Sequence, residues 1–136
     1  MKAFQPYLNF DGNAREAMTF YHQCLGGQLD VQSFADAKMA GPLGSENRVM
    51  HARITNGNAT LMASDTMPGH PFAAGTNYHV NVDCDTNEEI DRIFSAFSDG
   101  ARVNMPLQDT FWGARFGMLT DKYGVNWMFN CEQKKS

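Results

Sequence analysis

The sequence has few of the features that mark secreted, membrane-spanning or metal-clustering proteins. Its three cysteines, Cys24, Cys84 and Cys131, are widely spaced and form no Cys-x-x-Cys pair, so we expect reduced thiols rather than disulfides or a zinc site. No apolar run reaches the roughly 18 residues that a membrane-spanning helix needs, and the N-terminal residues show no secretory signal pattern. We therefore expect a cytoplasmic protein with no membrane partner.

An excess of positive charge is also absent. The chain has 11 basic and 15 acidic residues, a formal net charge of −4, whereas nucleic-acid binding needs basic side chains that replace counterions around phosphates. Nucleic acid is therefore not an expected partner. The chain also lacks the spacing of a Ser/His/Asp or Cys/His site and a glycine-rich phosphate loop. What it does have is 136 residues, 43% of them hydrophobic, which suffice for the core of one domain.

Two amphipathic helices with matching start and stop signals are the clearest feature. Each predicted helix begins at a capping residue with Glu three positions later, carries an apolar stripe and ends at glycine. The matching landmarks are Asn13 and Thr86, Glu16 and Glu89, and Gly27 and Gly100, each pair separated by 73 residues. A shared period of this kind indicates a duplicated unit.

The predicted strands repeat in the same way. Residues 7–11 and 79–83, which precede the helices, match at an offset of 72. Further strands are predicted at 28–34, 49–55, 59–64, 101–104, 113–120 and 125–131, with loops at 41–44 and 106–111. Asp65 and Asp121 stand beside predicted turns, where carboxylates accept backbone hydrogen bonds.

These elements predict an α+β fold of paired βαβββ modules. The single domain, 1–136, would consist of a first module at about 3–65, a linker at 66–75 and a second module at about 76–132. One helix covers only one face of each sheet, so we expect two curved mixed sheets that enclose a cleft, the usual place for a ligand.

Four runs of the sequence point to a known group of proteins. They are PYLNFDGN at 6–13, MHARI at 50–54, MASD at 62–65 and TFWGARFGMLTDKYGVNWMFN at 110–130. Together they resemble the vicinal oxygen chelate superfamily, which includes glyoxalase I, extradiol dioxygenases and the bleomycin and fosfomycin resistance proteins. The long C-terminal run resembles its PhnB-like branch in particular. The resemblance implies a glyoxalase-like fold and, commonly, a homodimer.

In metal-using relatives, four positions ligate a divalent ion, and the resemblance places them near Tyr7, Met62, His79 and Met128. Only His79 is a good ligand, because thioethers suit soft copper rather than hard divalent ions. His51 is a second imidazole on a neighbouring predicted strand, but two histidines without a carboxylate fall short of a facial triad. We therefore expect no metal cofactor, with one divalent ion at His79 as the alternative.

Several side chains are candidates for binding a small molecule. Trp112 and Phe116, with Met62 and Met128, suit an apolar or planar ligand, although strand aromatics and methionines equally suit a core. Arg115 beside Trp112 is suited to a ligand carboxylate or phosphonate, or else is an exposed residue of the outer face.

The catalytic candidates are His79, His51 and Glu46. Glu46 would act as a general base if its loop closed over the cleft, and is otherwise a solvated carboxylate. His79 and His51 each have the alternative role of a strand histidine held by one hydrogen bond.

We expect a metal-independent small-molecule-binding protein. The alternative is a divalent-metal-dependent enzyme of the lyase, isomerase or dioxygenase type that uses His79. Proteins of the PhnB-like branch are often labelled 3-demethylubiquinone methyltransferases, but the sequence lacks the Gly-x-Gly turn and the alternating strands and helices of the common methyltransferase fold.

Overall fold

The computed structural model describes residues 1–36 and 46–133, and within them it has eight strands and two helices. The elements are β1 (Tyr7–Phe10), α1 (Ala14–Leu25), β2 (Gln28–Ser33), β3 (Val49–Asn56), β4 (Ala59–Asp65), β5 (Val80–Asp83), α2 (Asn87–Phe97), β6 (Arg102–Asp109), β7 (Ala114–Thr120) and β8 (Asn126–Glu132). Neither of these helices is long and apolar enough to cross a membrane. The loop predicted at 41–44 lies outside the described residues.

The chain divides into two compact units, the first ending at Ala73 and the second beginning at Ala74. Each unit has a four-stranded mixed sheet, with strand orders β1-β4-β3-β2 and β5-β8-β7-β6. In both sheets the first strand of the unit runs parallel to the last, and the other pairs are antiparallel. The α+β class and the paired βαβββ modules are confirmed, while the single domain and the cleft stay predictions.

Helix α1 covers one face of the sheet in the first unit, where it packs against β2, β3 and β4. Its apolar residues recur at helical spacing and are buried, which is why this face turns inward. They are Ala14, Ala17, Met18, Tyr21 and Cys24. The buried sheet residues are Leu8, Phe10, Ala52, Ile54, Leu61 and Ala63.

Helix α2 covers one face of the second sheet through an aromatic core. Phe97 packs 4.6 Å from Trp127 and 5.3 Å from Phe129 between ring centroids, and Phe94 meets Phe129 edge-on at 5.3 Å. Ile90 and Ile93 complete the buried stripe of the helix. Since such rings bury large apolar areas, this cluster dominates the core of the second unit.

The N-terminus of α1 is held differently from the prediction. The Asn13 side chain makes no capping hydrogen bond. Instead, Asp65 Oδ1 accepts from the backbone N–H groups of Gly12 (2.9 Å) and Ala14 (3.0 Å), and its Oδ2 accepts from Val49 (2.9 Å). Asn13 stands at the predicted N-cap position without the predicted side-chain bond; the buried carboxylate from β4 instead binds the N–H groups on either side of Asn13, where the positive end of the helix dipole favours its charge.

The predicted cap of α2 is confirmed. Thr86 Oγ1 accepts from the Glu89 backbone N–H at 3.1 Å, and the Glu89 carboxylate accepts from Asp85, one residue before the cap. Both helices were predicted to end at glycine. Helix α1 ends at Leu25, directly before Gly26. Helix α2 ends at Phe97, three residues before Gly100, and its C-cap is Ser98.

Asp121 has a similar role in the second unit. Its Oδ1 accepts from the backbone N–H groups of Tyr123 (2.7 Å) and Val125 (3.1 Å), and its Oδ2 accepts from the Trp127 indole N–H (2.8 Å). The prediction that Asp65 and Asp121 accept backbone hydrogen bonds is therefore confirmed.

Strand β6 corrects another prediction, since residues 106–111 were expected to form a loop. The strand continues through Pro106 to Asp109, with register shifts between Val103 and Met105 and between Met105 and Gln108. Strand β6 is at the edge of its sheet, so it tolerates a residue that cannot donate to the ladder.

Replacing Asp65 by Asn should strongly destabilise the protein. An amide offers one acceptor oxygen and turns two donors toward backbone N–H groups, so at least one buried donor loses its partner, at a cost of about 2–4 kcal/mol. Urea unfolding measures the loss. Asp30→Asn, at an exposed β2 position whose one bond is a 3.5 Å contact from Gln28, is the control and should change little. Equal effects of the two substitutions would contradict the role of Asp65.

Replacing Gly117 by Ala should destabilise the second unit. An added Cβ would lie 2.8 Å from Phe94 Cε2 and 3.1 Å from Leu107 Cα, so α2 or β6 must shift, at a cost of about 1–3 kcal/mol. Gly75→Ala is the control, because its nearest neighbour would be Asn77 Oδ1 at an ordinary 3.4 Å. Thermal unfolding of the two variants should differ clearly, and Phe94→Leu should relieve part of the Gly117→Ala defect.

Candidate functional site

Each sheet has an open face, the face opposite the helix of its own unit. Strand residues alternate between the two faces, and register partners on neighbouring strands share a face. The open face of the first unit carries Tyr7, Asn9, Met62, Ser64, His51, Arg53, Asp30 and Gln32. The open face of the second unit carries Asn81, Asp83, Met128, Asn130, Met118 and Phe116.

A side-chain hydrogen bond on the open face of the first unit joins β1 to β3 across the strand between them, β4. The Tyr7 hydroxyl on β1 lies 3.1 Å from His51 Nδ1 on β3, and the two rings are 5.7 Å apart. Tyr7 is 44% exposed although it makes this bond. The pair brings together two candidate residues that are 44 positions apart in the sequence, and His51 takes the role of a strand histidine with a hydrogen-bonded ring.

Arg53 is a residue of this face that sequence reasoning missed. It stands between buried Ala52 and Ile54 on β3, and its register partners are Met62 on β4 and Asp30 on β2. Its side chain is exposed and makes no ion pair with any residue of the described ranges. In the sequence, the polar residues His51, Arg53 and Thr55 alternate with the apolar Ala52 and Ile54. This alternation is a signal that could have placed Arg53 on the open face.

The open face of the second unit has an apolar part formed by methionine and aromatic side chains, next to the polar Asn81, Asp83 and Asn130. Met128 lies beside Met118 across the β7–β8 ladder, and Phe116 is one step further along β7. Trp112 contacts Phe116 edge-on at 6.0 Å, and Phe111 meets Trp112 edge-on at 5.1 Å. Phe111 is 97% exposed and Trp112 55% exposed. The structure therefore brings the predicted Trp112, Phe116 and Met128 to one face.

Arg115 lies on the helix side of β7 rather than with Trp112 on the open face. Its Nε donates to Asp91 of α2 at 2.8 Å, and its Nη1 donates to Asp109 of β6 at 3.2 Å. The bond to Asp91 raises the pKa of the guanidinium above its ordinary value. Two carboxylates thus already bind this guanidinium and neutralise its charge, which leaves it less suited to a ligand anion.

The remaining catalytic candidates lie apart from these contacts. His79 directly precedes β5 and is exposed, without a hydrogen-bond partner in the described part of the chain. Glu46 is also exposed, and its backbone carbonyl accepts from the Ala35 N–H at 3.1 Å. No described residue brings a base or an acid into contact with either side chain.

The four positions implied for a metal do not offer a fitting donor set. Tyr7 is the register partner of Met62, and the same register in the second unit places Asn126, not Met128, opposite His79. The Asn126 amide is already committed, since its nitrogen donates to Gly75 O (2.9 Å) and its oxygen accepts from Thr120 (2.8 Å). Phenol, thioether, amide and one imidazole are poor ligands for a hard divalent ion.

Carboxylates, imidazoles and thiolates do not gather elsewhere. Across residues 1–36 and 46–133, no three His, Cys, Asp or Glu side chains form a group that could hold a metal ion.

The buried thiols of the second unit are poor nucleophiles. Burial raises the pKa of the Cys84 thiol to about 12, with further contributions from Glu89 and Cys131. Burial likewise raises the pKa of Cys131. Because the thiolate is the reactive form, neither side chain is suited to covalent catalysis near neutral pH.

Solved structures share this fold. A glyoxalase/bleomycin resistance protein/dioxygenase family enzyme from Burkholderia phytofirmans, 18% identical, aligns over 96% of this chain and 99% of its own with a TM-score of 0.65. Protein PA1353 from Pseudomonas aeruginosa is 42% identical over 97% of this chain and 100% of its own, with a TM-score of 0.85. A PhnB protein from Bacillus cereus is 32% identical over 94% and 98%, with a TM-score of 0.76.

The chain belongs to the family described as 3-demethylubiquinone-9 3-methyltransferase, whose model matches residues 2–129. Among curated proteins, protein YjdN of Escherichia coli is 31% identical over 96% of this chain and 95% of its own length. The resemblance to the PhnB-like branch is thereby confirmed.

The contribution of Cys84 to stability should decrease at alkaline pH. Its pKa is about 12 in the fold against 9.0 for an ordinary thiol, so the stabilisation is complete below about pH 9 and is lost as the pH rises toward 12. The destabilisation caused by Cys84→Ala should therefore be smaller at about pH 10.5 than at about pH 8 in urea unfolding. Ile93→Val, a buried change without an ionisable group, should cost the same at both values. A pH-independent Cys84→Ala defect would contradict this account.

Proposed function

We propose that the protein is a metal-independent small-molecule-binding member of its family, and that its open faces hold the ligand. The observation that supports this most is the edge-on cluster of Phe111, Trp112 and Phe116, which extends from the β6–β7 turn to a sheet face that α2 does not cover. Large exposed aromatics that contact one another form an apolar patch, and such patches commonly mark sites of interaction.

The side chains around this cluster favour a planar or partly apolar ligand. Trp112 and Phe116 offer ring faces and edges, and Met118 and Met128 offer flexible thioethers that adapt to the shape of a ligand. On the open face of the first unit, Tyr7 and Met62 are neighbours across the β1–β4 ladder and provide a second surface of this kind, next to polar groups. Candidate ligand residues are therefore Tyr7, Met62, His79, Trp112, Phe116 and Met128.

A divalent-metal enzyme that uses His79 is the alternative. His79 is exposed and its imidazole is available, but its neighbour across the β5–β8 ladder, Asn126, supplies no carboxylate or second imidazole. The donor set therefore favours the metal-independent proposal.

The methyltransferase activity in the family's description has less support from this fold. The turn between β1 and α1 contains the single glycine Gly12, whose backbone N–H donates to Asp65 and where an added Cβ would lie 3.1 Å from Arg48 Nη1. A nucleotide-like cofactor is usually bound at such a turn by free backbone N–H groups at the helix N-terminus. Here Asp65 already accepts from two of the N–H groups of this turn, those of Gly12 and Ala14.

A cytoplasmic homodimer remains our prediction for the state in which the protein acts. Sedimentation of the purified chain would check the dimer.

Loss of Trp112 should weaken ligand binding. We expect a melting-temperature screen of planar aromatic metabolites and antibiotics to give stabilising compounds, because a ligand of the folded state raises its stability. Binding should change the fluorescence of exposed Trp112, whereas Trp127 is only 1% exposed. Trp112→Ala should weaken affinity by about tenfold or more.

Phe4→Ala is the control for this experiment, because Phe4 is 90% exposed but belongs to neither sheet. It should leave binding unchanged. Compounds that bind Trp112→Ala as tightly as the wild type would contradict a site at this cluster. Stabilisation by zinc, nickel, manganese or iron that disappears in His79→Ala would favour the metal enzyme instead.

A further inference from the structure

Arg53 differs from the other described cations of the strands and their ends, because each of those has a side-chain partner; Arg102 of β6, for example, donates to Asn104 Oδ1 at 3.1 Å. Arg48 is bound to Asp11 at 2.7 Å, Arg115 to Asp91 and Asp109, and Lys122 to Asp99 at 3.5 Å. Arg53 has no carboxylate within ion-pair distance in the described residues, and it is exposed on the open face of the first unit. Its five N–H donors are thus available to an external acceptor.

A second donor lies on the same strand and the same face. His51 is two residues before Arg53, about 6.6 Å along β3, a distance that the long arginine side chain can close. The Nδ1 atom of His51 is hydrogen-bonded to the Tyr7 hydroxyl, and its Nε2 atom has no hydrogen-bond partner in the described part of the chain. When the phenol donates to Nδ1, the proton of the neutral imidazole is on Nε2, which then donates outward.

Among the described residues of this face, Asp30 is the one acidic side chain that could compete with a ligand for Arg53. It is the register partner of Arg53 on β2, but its carboxylate accepts from Gln28 Nε2 at 3.5 Å and makes no ion pair with the guanidinium. Both side chains are exposed, and an exposed pair of this kind gains little energy. A ligand carboxylate whose other atoms contact Tyr7 and Met62 should therefore bind the Arg53 guanidinium more favourably than Asp30 does.

We propose that Arg53, assisted by His51 Nε2–H, recognises the carboxylate of a small ligand on the open face of the first unit. The inference rests on the proposed function, since it assumes that the open faces hold the ligand. The guanidinium fork matches the two oxygens of a carboxylate, and Tyr7 and Met62 receive the apolar body of the ligand. The anion-recognition role considered for Arg115 from the sequence is thus transferred to Arg53.

The test uses benzoate and its neutral analogue benzamide as probes of the full-length chain, followed by NMR. Benzoate should shift the Arg53 Nε–H and His51 ring resonances in a saturable manner, with an affinity about threefold or more above that of benzamide. Arg53→Gln should lower the benzoate affinity by about two- to fivefold and leave benzamide unchanged. Tyr7→Phe should weaken benzoate binding less than Arg53→Gln, because it acts only through the orientation of His51.

Arg15→Gln is the matched control, because Arg15 is an exposed arginine of the same unit that lies on α1. It should bind benzoate as the wild type does. Equal affinities for benzoate and benzamide, a benzoate affinity unchanged by Arg53→Gln, or the absence of any shift at His51 and Arg53 would overturn the proposal. The Trp112 indole signal, recorded in the same spectra, reports separately on the proposed function, so an Arg53 failure is distinguishable from a failure of ligand binding as a whole.

Discussion

Within the residues that the structure describes, each unit has four strands and one helix, so one face of each sheet has no helix of its own unit packed against it. An amphipathic helix buries one apolar stripe, so it covers one face of one sheet and leaves the other face to other contacts. Met18 and Tyr21 in the first unit, and Phe94 and Phe97 in the second, place the large apolar side chains on the covered face. The open faces are therefore free to carry residues that a core would not tolerate, including Arg53 and exposed Trp112.

The two units share a topology but secure their helices by different chemistry. Helix α1 depends on Asp65, a buried carboxylate at the end of the neighbouring strand β4 and distant in sequence, whereas α2 depends on the local Thr86 cap. The second unit uses its own buried carboxylate, Asp121, to fix the β7–β8 turn and Trp127. The two units therefore share a strand order and a pattern of buried apolar residues, but they differ in the polar contacts that hold their helices and turns.

Elements with a periodic residue pattern were predicted from the sequence, whereas contacts between residues that are distant in the sequence were not. The helices and most strands follow from spacing alone, as does the capping role of Thr86. Asp65 could not be recognised as the cap of α1, because its partners Gly12 and Ala14 lie more than 50 positions away. The face of Arg115 could not be assigned from the sequence, because apolar residues occur at both the odd and the even positions of β7. The face of Arg53 could have been assigned, because Ala52 and Ile54 alternate with it.

The open faces differ in chemistry, and this difference bears on the kind of activity the chain can support. The first offers a guanidinium, an imidazole and a phenol, and the second offers aromatic rings and thioethers. Polar donors fix the orientation of a ligand and apolar surfaces supply most of its burial, which is the usual division of roles in small-molecule sites. The positions that ligate metal in relatives instead hold Met62 and a hydrogen-bonded Asn126. These residues support the proposed recognition of an anionic, partly planar molecule more than they support the alternative of a divalent-metal enzyme.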